Sequence, residues 1–159
     1  MAKKPKSNPG QKLICANRRA RFEYHIEETH EAGLVLTGAE VKSLRQGRAN
    51  LNDSYARVNR GEAFLMNAHI SHYEPAHHFK TDPTRARKLL LHKKEIMRLM
   101  GKVQEQGLTL VPLRLYFRDG KAKVELALAK GKKLYDKRAT TRERDVKRDL
   151  ARALRRDAR

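Results

Sequence analysis

The stretch Leu108–Ala129, LTLVPLRLYFRDGKAKVELALA, carries the fold class. Its first half alternates so that Val111, Leu113, Leu115 and Phe117 share a face. Its second half does the same for Val124, Leu126 and Leu128. A period of two belongs to an extended strand with one face turned to a core. Between the halves stand Asp119 and Gly120. Both central residues of a two-residue type I′ turn need positive φ, so this pair predicts a tight hairpin. Pro112 cannot donate to a ladder, which predicts an edge or a bulge at that point.

The same alternation recurs outward from this hairpin. In RFEYHI it places Phe22, Tyr24 and Ile26 on one face, and in AFLMNAHI it does so for Phe64, Met66, Ala68 and Ile70. The second of these follows SYARV through the turn-type run VNRGE. Helical signals are fewer. Thr37 and Glu40 stand at capping-box spacing ahead of Val41 and Leu44, with Gly47 as a stop. A further helix is predicted to open at Asp82 and Pro83 and to carry Ile96, Leu99, Met100 and Val103 as its apolar stripe. About six strands and two or three helices predict a mainly β fold, an OB-like antiparallel barrel with helices packed on it.

Charge points to the partner. The 159 residues hold 37 Lys and Arg against 18 Asp and Glu, a net charge of +19. Solubility is served by a net charge magnitude of roughly 2–8 in a small domain. The excess therefore predicts a polyanion, with RNA, DNA and an anionic surface as the classes. Residues 1–10 are polar and basic and are expected to be disordered. Residues 11–130 are the expected folded domain. Residues 131–159 form a basic tail in which Thr140 and Glu143 repeat the capping-box spacing and Val146, Leu150 and Leu154 make a thin stripe. Such a helix is marginal alone, so the tail is expected to be disordered when free and helical on an anionic partner.

Few classes of chemistry fit. One cysteine, Cys15, rules out an internal disulfide and favours a reducing compartment. No apolar run nears the ~18 residues of a membrane span, and MAKKPKSNPG lacks the apolar stretch of a secretory signal. A cytoplasmic protein is the expectation. His69, His72, His77 and His78 have no cysteine partners at zinc spacing, and no metal or cofactor is expected. Glu23, Glu27, Glu28 and Glu31 form a carboxylate cluster that could serve a nuclease, but clustering on a strand and its exit gives little specificity. The basic clusters Asn17–Arg21, Lys42 with Arg45 and Arg48, Arg85–Lys88 and Lys130–Lys133 are the better candidates, for phosphate.

NRRARFEYHIEETHEAGLVLTGAEVKSLRQGRANLNDSYA, GEAFLMNAHI, DPTRARKLLLHKKEI, GLTLVPLRLYF and AKGKKLYDKR, in that order, closely resemble the SsrA-binding (SmpB) family from about Leu13 to the tail. The resemblance implies a bacterial, cytoplasmic, non-catalytic protein with an OB-like barrel. It implies a monomer that binds the tRNA-like part of tmRNA and helps deliver alanyl-tmRNA, with elongation factor Tu and GTP, to stalled ribosomes. Carried residue by residue, it implies RNA-facing roles for Asn17, Arg18, Arg19, Glu31, Lys88, Leu90, Lys132 and Lys133. It implies that Tyr135, Asp136, Lys137 and Arg138 act in the decoding region and mRNA path, with Leu150 and Leu154 on the tail helix. Asn17 and Glu31 could hydrogen-bond base or ribose edges while Arg18 and Arg19 hold phosphates. Glu31 could instead order the loop that faces the RNA. The alternatives are a constitutive ribosomal protein, another RNA-binding OB-fold protein, or an RNA-processing enzyme.

Overall fold

The computed structural model describes residues 10–76 and 81–157. Residues 1–9 of the expected N-terminal segment, and His77 and His78, lie outside the described residues. The element order is β1 (Gln11–Ala16), α1 (Ala20–Glu23), β2 (Tyr24–Leu34), α2 (Gly38–Arg45), β3 (Ala49–Asn50), β4 (Tyr55–Asn59) and β5 (Glu62–Met66). It continues with β6 (His69–Ile70), β7 (Arg87–Leu90), α3 (Lys93–Gln106), β8 (Thr109–Arg118), β9 (Lys121–Gly131) and α4 (Leu134–Asp157). Strands β8, β4, β5, β7, β2 and β9 follow one another by antiparallel pairing, and β9 pairs back onto β8. Six strands thus close a ring, as the sequence predicts for an OB-like barrel. β1 lies outside the ring, against the second half of β8.

Pairing around the ring is uneven. β2–β9 and β8–β9 are long ladders. Two seams are short: β4 meets β8 at Ala56 opposite Leu110, and β2 meets β7 at Gly33 and Leu34 opposite Leu90 and Leu89. Gly33 is closely approached by β7: a Cβ there would stand 3.2 Å from the Leu90 Cβ, and Leu90 would have to shift by a few tenths of an ångström. The core inside the ring includes Leu44, Leu65, Leu89, Leu99, Leu115, Val124, Leu126 and Leu128, each no more than 1% exposed.

The predicted hairpin is present, with Asp119 at φ 50° and Gly120 at φ 74°. Arg60 and Gly61 close β4–β5 in the same way, at φ 49° and 74°. The ladder shifts register between Pro112 and Arg114, so Pro112 marks a bulge in a central strand. That bulge splits the predicted face. Leu115 and Phe117 enter the main core, while Val111 and Leu113 pack with Ala20 and Ala127 in a second cluster. In β5 the buried residues are Ala63 and Leu65, and the predicted Phe64 and Met66 are only half-buried. Asn67, at φ 56°, resets the alternation, and Ala68 and Ile70 then face inward as predicted. Phe22 belongs to the short helix α1 rather than to a strand.

The third helix begins later than its predicted start. Asp82 does not cap it: its Oδ1 accepts from Thr84 N at 2.9 Å and Thr84 Oγ1 at 3.0 Å, a local turn. Arg87–Leu90 is a strand, and α3 opens at Lys93, where His92 N donates to the Glu95 carboxylate at 3.1 Å. The predicted stripe holds, with Ile96 and Leu99 buried and Met100 and Val103 partly buried.

The predicted capping box of α2 is present and belongs to a larger network. Glu40 N donates to Thr37 Oγ1 at 3.4 Å, while Thr37 N donates to Glu40 Oε2 at 2.9 Å. The same carboxylate accepts from Arg85 at 2.9 and 2.6 Å and from Arg87 Nε at 2.9 Å. Arg87 is fully buried and also donates to the carbonyls of Ala68 and Pro83. Burial pushes the Glu40 carboxyl up, but the hydrogen bonds from Arg85 and Thr37 and the Arg87 charge outweigh it and hold the group low.

A carboxyl held low in the folded state stabilises above the ordinary carboxylate range, and that contribution is lost as pH falls through its folded value. Removing one partner of a buried ion pair costs about 3–5 kcal/mol. Glu40→Ala should therefore lower stability by that amount at pH 7 in urea denaturation, with the gap to wild type narrowing below about pH 4. An unchanged midpoint at pH 7 would show that the network adds nothing.

Candidate nucleic-acid interface

The eight barrel positions expected to face RNA fall at two places, joined by β2. The first is the turn between β1 and α1. Asn17 N donates to Leu113 O at 2.7 Å, its Nδ2 donates to Leu51 O at 3.3 Å, and its Oδ1 accepts from Ala20 N at 3.1 Å. Both ends of the amide are used internally. Asn17 fixes the turn, and Arg18 and Arg19 project from it into solvent. Arg19 reaches Glu23 at 3.3 Å with 65% of its side chain exposed. Lys132 joins them from the end of β9: its N donates to Glu23 O at 2.8 Å, and its Nζ donates to Arg21 O at 3.2 Å and Thr140 Oγ1 at 3.3 Å. Lys133 follows, exposed.

The second place is the β2–β7 seam. Glu31, Lys88 and Leu90 line one groove there with Lys123, His92 and Lys93. Leu90 is 55% exposed over Gly33, an apolar surface in a groove of mixed charge that Glu62 and Glu95 also line. Lys88 Nζ meets the Glu62 carboxylate at 2.5 Å, both side chains being about half exposed. The Glu31 carboxylate accepts from the Tyr116 hydroxyl and from Arg118 at 3.2 Å on each oxygen. The Tyr116 hydrogen bond, with the Arg118 hydrogen bond and charge, holds the Glu31 carboxyl below its ordinary range against the opposing effect of burial.

Seven residue steps of β2 separate Tyr24, beside the first place, from Glu31, which is about 23 Å at ~3.3 Å per residue. A ligand that touches both must span the barrel.

The tail positions lie on α4, a single 24-residue helix. It starts at Leu134, six residues before the spacing of Thr140 and Glu143 predicts, and Thr140 Oγ1 bonds to Asp136 O at 2.9 Å inside it. Where the sequence predicts a free tail without structure, the structure describes helix, supported by pairs such as Glu143 with Lys147 at 2.7 Å. Its root touches the barrel: Asp136 stands 3.6 Å from His25, and Arg144 lies 5.2 Å from the Phe22 ring centroid. Lys137 is partly buried, and Arg138 is exposed. Leu134, Tyr135, Val146, Leu150 and Leu154 are all more than 60% exposed, so the described residues leave the apolar stripe largely uncovered.

Not every basic cluster is available. Arg85 and Arg87, read from sequence as phosphate ligands, are committed to Glu40. Their inward roles are hidden in RARK because a buried arginine has no periodic signature until its carboxylate is located. Lys42 lies 5.4 Å from the Tyr73 ring centroid, and Arg48 meets Glu74 at 3.5 Å. Sequence reasoning misses Tyr116, Arg118 and Lys123, although the alternation of β8 and β9 sets them on the face opposite the main core, with β9 paired to β2 and β8 one strand beyond it. The carboxylate cluster is dispersed: Glu23 pairs with Arg19, Glu28 with Lys102 and Arg98, and Glu31 with Arg118. Among the described residues no three His, Cys, Asp or Glu gather to hold a metal. No helix among them is long and apolar enough to cross a membrane. Cys15 is partly buried against the core, and burial raises its thiol to about 11.

The family model described as SmpB protein matches residues 14–156. An SsrA-binding protein of Desulforudis audaxviator is 60% identical over 155 residues, covering 98% of each chain. Another, of Acidothermus cellulolyticus, is 61% identical over 145 residues, covering 91% of each. A chain in a solved structure described as "tmRNA-SmpB: a journey to the center of the bacterial ribosome" is 55% identical, with a TM-score of 0.64, over 76% of this chain and 85% of that one.

The internal bonds of Asn17 generate a prediction. Asn17→Ala removes a turn cap and a bond to the Leu51 carbonyl and should destabilise by about 1–2 kcal/mol in chemical denaturation. Arg18→Ala, from an exposed side chain, should stay within about 0.5 kcal/mol of wild type. Equal effects would mean that the amide does not hold the turn.

Proposed function

The chain belongs to the SmpB protein family, and from that premise we propose that it binds the tRNA-like part of tmRNA and helps deliver it to stalled ribosomes. There the RNA serves trans-translation, in which the ribosome is rescued and the nascent peptide tagged. The observation that carries this reading is the near-complete match to SsrA-binding proteins, which covers 98% of the chain in one relative. Physical features support it. A net charge of +19 supplies the affinity for a polyanion.

In this reading Arg18, Arg19, Lys132 and Lys133 hold phosphates, and Asn17 presents the two arginines. Glu31 accepts from a base or ribose donor, and Leu90 seats an apolar face of the nucleotide with Lys88 beside it. The protein acts in the cytoplasm as a monomer and makes no bond itself. Elongation factor Tu enters through alanyl-tmRNA.

The tail has the second role. A helix of 24 residues is about 36 Å long at ~1.5 Å per residue. With its stripe uncovered it is marginal in water, so the free tail spends much of its time unfolded. On a stalled ribosome the downstream mRNA path is empty and lined with phosphate. The tail enters there and folds, with Tyr135, Asp136, Lys137 and Arg138 at the decoding site and Leu150 and Leu154 in the channel.

Binding of the full chain to tmRNA and to an elongator tRNA across a salt series tests the first role. Generic phosphate binding weakens for both RNAs alike as salt rises. The reading expects tmRNA to keep at least a tenfold advantage, about 1.4 kcal/mol, at physiological salt. Equal affinities at every salt would overturn it. A chain ending after Lys133 should keep tmRNA affinity and lose tagging in a reconstituted translation assay. Tagging that survives the truncation would remove the tail from the mechanism. Sedimentation separates the ribosomal-protein alternative, which expects the chain on all ribosomes at one copy each.

A further inference from the structure

We propose that Tyr116 and Arg118 are positioning residues for RNA recognition, which orient the Glu31 carboxylate and leave one of its acceptor sites free for a neutral donor. The inference rests on the tmRNA-binding reading above and deepens it at the β2–β7 seam.

Glu31 shares its groove with Glu62 and Glu95 as well as with Lys88, Lys93 and Lys123. A carboxylate repels phosphate, so Glu31 gains from RNA only by accepting a hydrogen bond from a base N–H or a ribose hydroxyl. To do so it must be ionised and correctly aimed. Both requirements are met from β8. Tyr116, 3% exposed, donates its hydroxyl to Oε2, and Arg118 donates to Oε1 and Oε2 at 3.2 Å each. An ionised carboxylate has about four acceptor positions. Oε2 has used two and Oε1 one, which leaves one on Oε1, with a third of the side chain exposed.

Geometry keeps these donors fixed. Tyr116 and Arg118 are two apart and leave β8 on the same face. The Tyr116 ring is packed under Arg114, whose guanidinium carbon lies 5.4 Å from its centroid, and Arg114 is tied to Glu125 on β9. Glu125 stands opposite Glu31 in the ladder. The hydroxyl is itself pushed up by burial and by Glu31, so it remains a donor rather than a competing anion. Lys123 of β9 adds a further positive charge near Glu31.

Tyr116→Phe removes the hydroxyl and keeps the ring. Three measurements on the full chain test the assignment. In carbon-detected NMR of the glutamate carboxyls, the Glu31 midpoint should rise toward about 4.3, the ordinary value. The affinity for tmRNA should fall about tenfold near neutral pH, as expected if a carboxylate no longer held in place loses its own hydrogen bond to the RNA. It should fall further between about pH 5 and 4, more steeply than for wild type, as the less firmly held carboxyl takes up its proton. Lys88 of β7, Glu62 of β5, Lys123 of β9 and His92, Lys93 and Glu95 near the α3 entrance share the groove. They are present in every protein compared, so their contribution cancels.

The effect should vanish in a Glu31→Gln background, because a positioning residue acts only through the group that it positions. Arg118→Gln should weaken binding without altering the salt slope, whereas loss of a phosphate contact would reduce that slope by about 0.9. Tyr116→Phe effects that add fully to those of Glu31→Gln, or a Glu31 midpoint that does not move, would overturn the inference. The result differs from failure of the parent reading, in which wild type itself shows no preference for tmRNA over elongator tRNA.

Discussion

The buried Arg87 guanidinium is the constraint on which the rest of the seam depends. It is one of the largest fully buried side chains, in a protein whose other cations are mostly at the surface. A buried charge is tolerated only with a partner and satisfied donors. Glu40 supplies the first, and the carbonyls of Ala68 and Pro83 supply the second. One carboxylate thereby ties the first turn of α2 to the entrance of β7. It also sets register. Successive side chains of a strand point to opposite faces, so Arg87 and Leu89 inward require Lys88 and Leu90 outward. A slip by one residue would bury Lys88 without an acceptor and carry Leu90 into the core.

That register matters because the seam is thin. β7 holds β2 through Gly33 and Leu34, with Val35 N donating to Lys88 O at 3.0 Å beyond them. A ladder so short leaves the strands free to diverge, and the groove containing Glu31, Lys88 and Leu90 opens where they do. The long β2–β9 ladder on the other side keeps Glu31 rigid. One wall of the site is thus fixed by main-chain pairing and the other by a side-chain ion network.

Much of this was legible in the sequence where a signal is local. Asp119-Gly120 declared its turn because positive φ at two successive positions admits few residues. Thr37 and Glu40 declared the start of α2 through a reciprocal bond spanning three residues. Pro112 declared a bulge, although not which way the following residues would face. What stayed hidden is non-local. β7 was read as the first turns of a helix because KLLLH has no clear period of two. Its inward arginine becomes intelligible only beside Glu40, 47 positions earlier in the chain. Asn67 adopts a left-handed conformation that switches the face of β5 within two residues. The site divides in the same way. Arg18, Arg19 and Lys132 stand out as charge, whereas Tyr116 and Arg118 gain meaning only when the ladder brings Glu31 beside them.

On the proposed RNA reading, net charge and carboxylate perform opposite tasks. A +19 surface attracts any nucleic acid, and the energy from phosphates scarcely distinguishes one RNA from another. Selectivity then has to come from groups that penalise the wrong partner. Glu31 is unfavourable beside a phosphate and favourable only beside a donor. Leu90 is unfavourable beside any charge and favourable only beneath an apolar face. Set on a protein whose net charge attracts the backbone, these two convert a general attraction into a test of what the nucleotide presents. The test is only as sharp as the carboxylate is fixed. A swinging Glu31 could move away from a phosphate at little cost, whereas one held at both oxygens cannot.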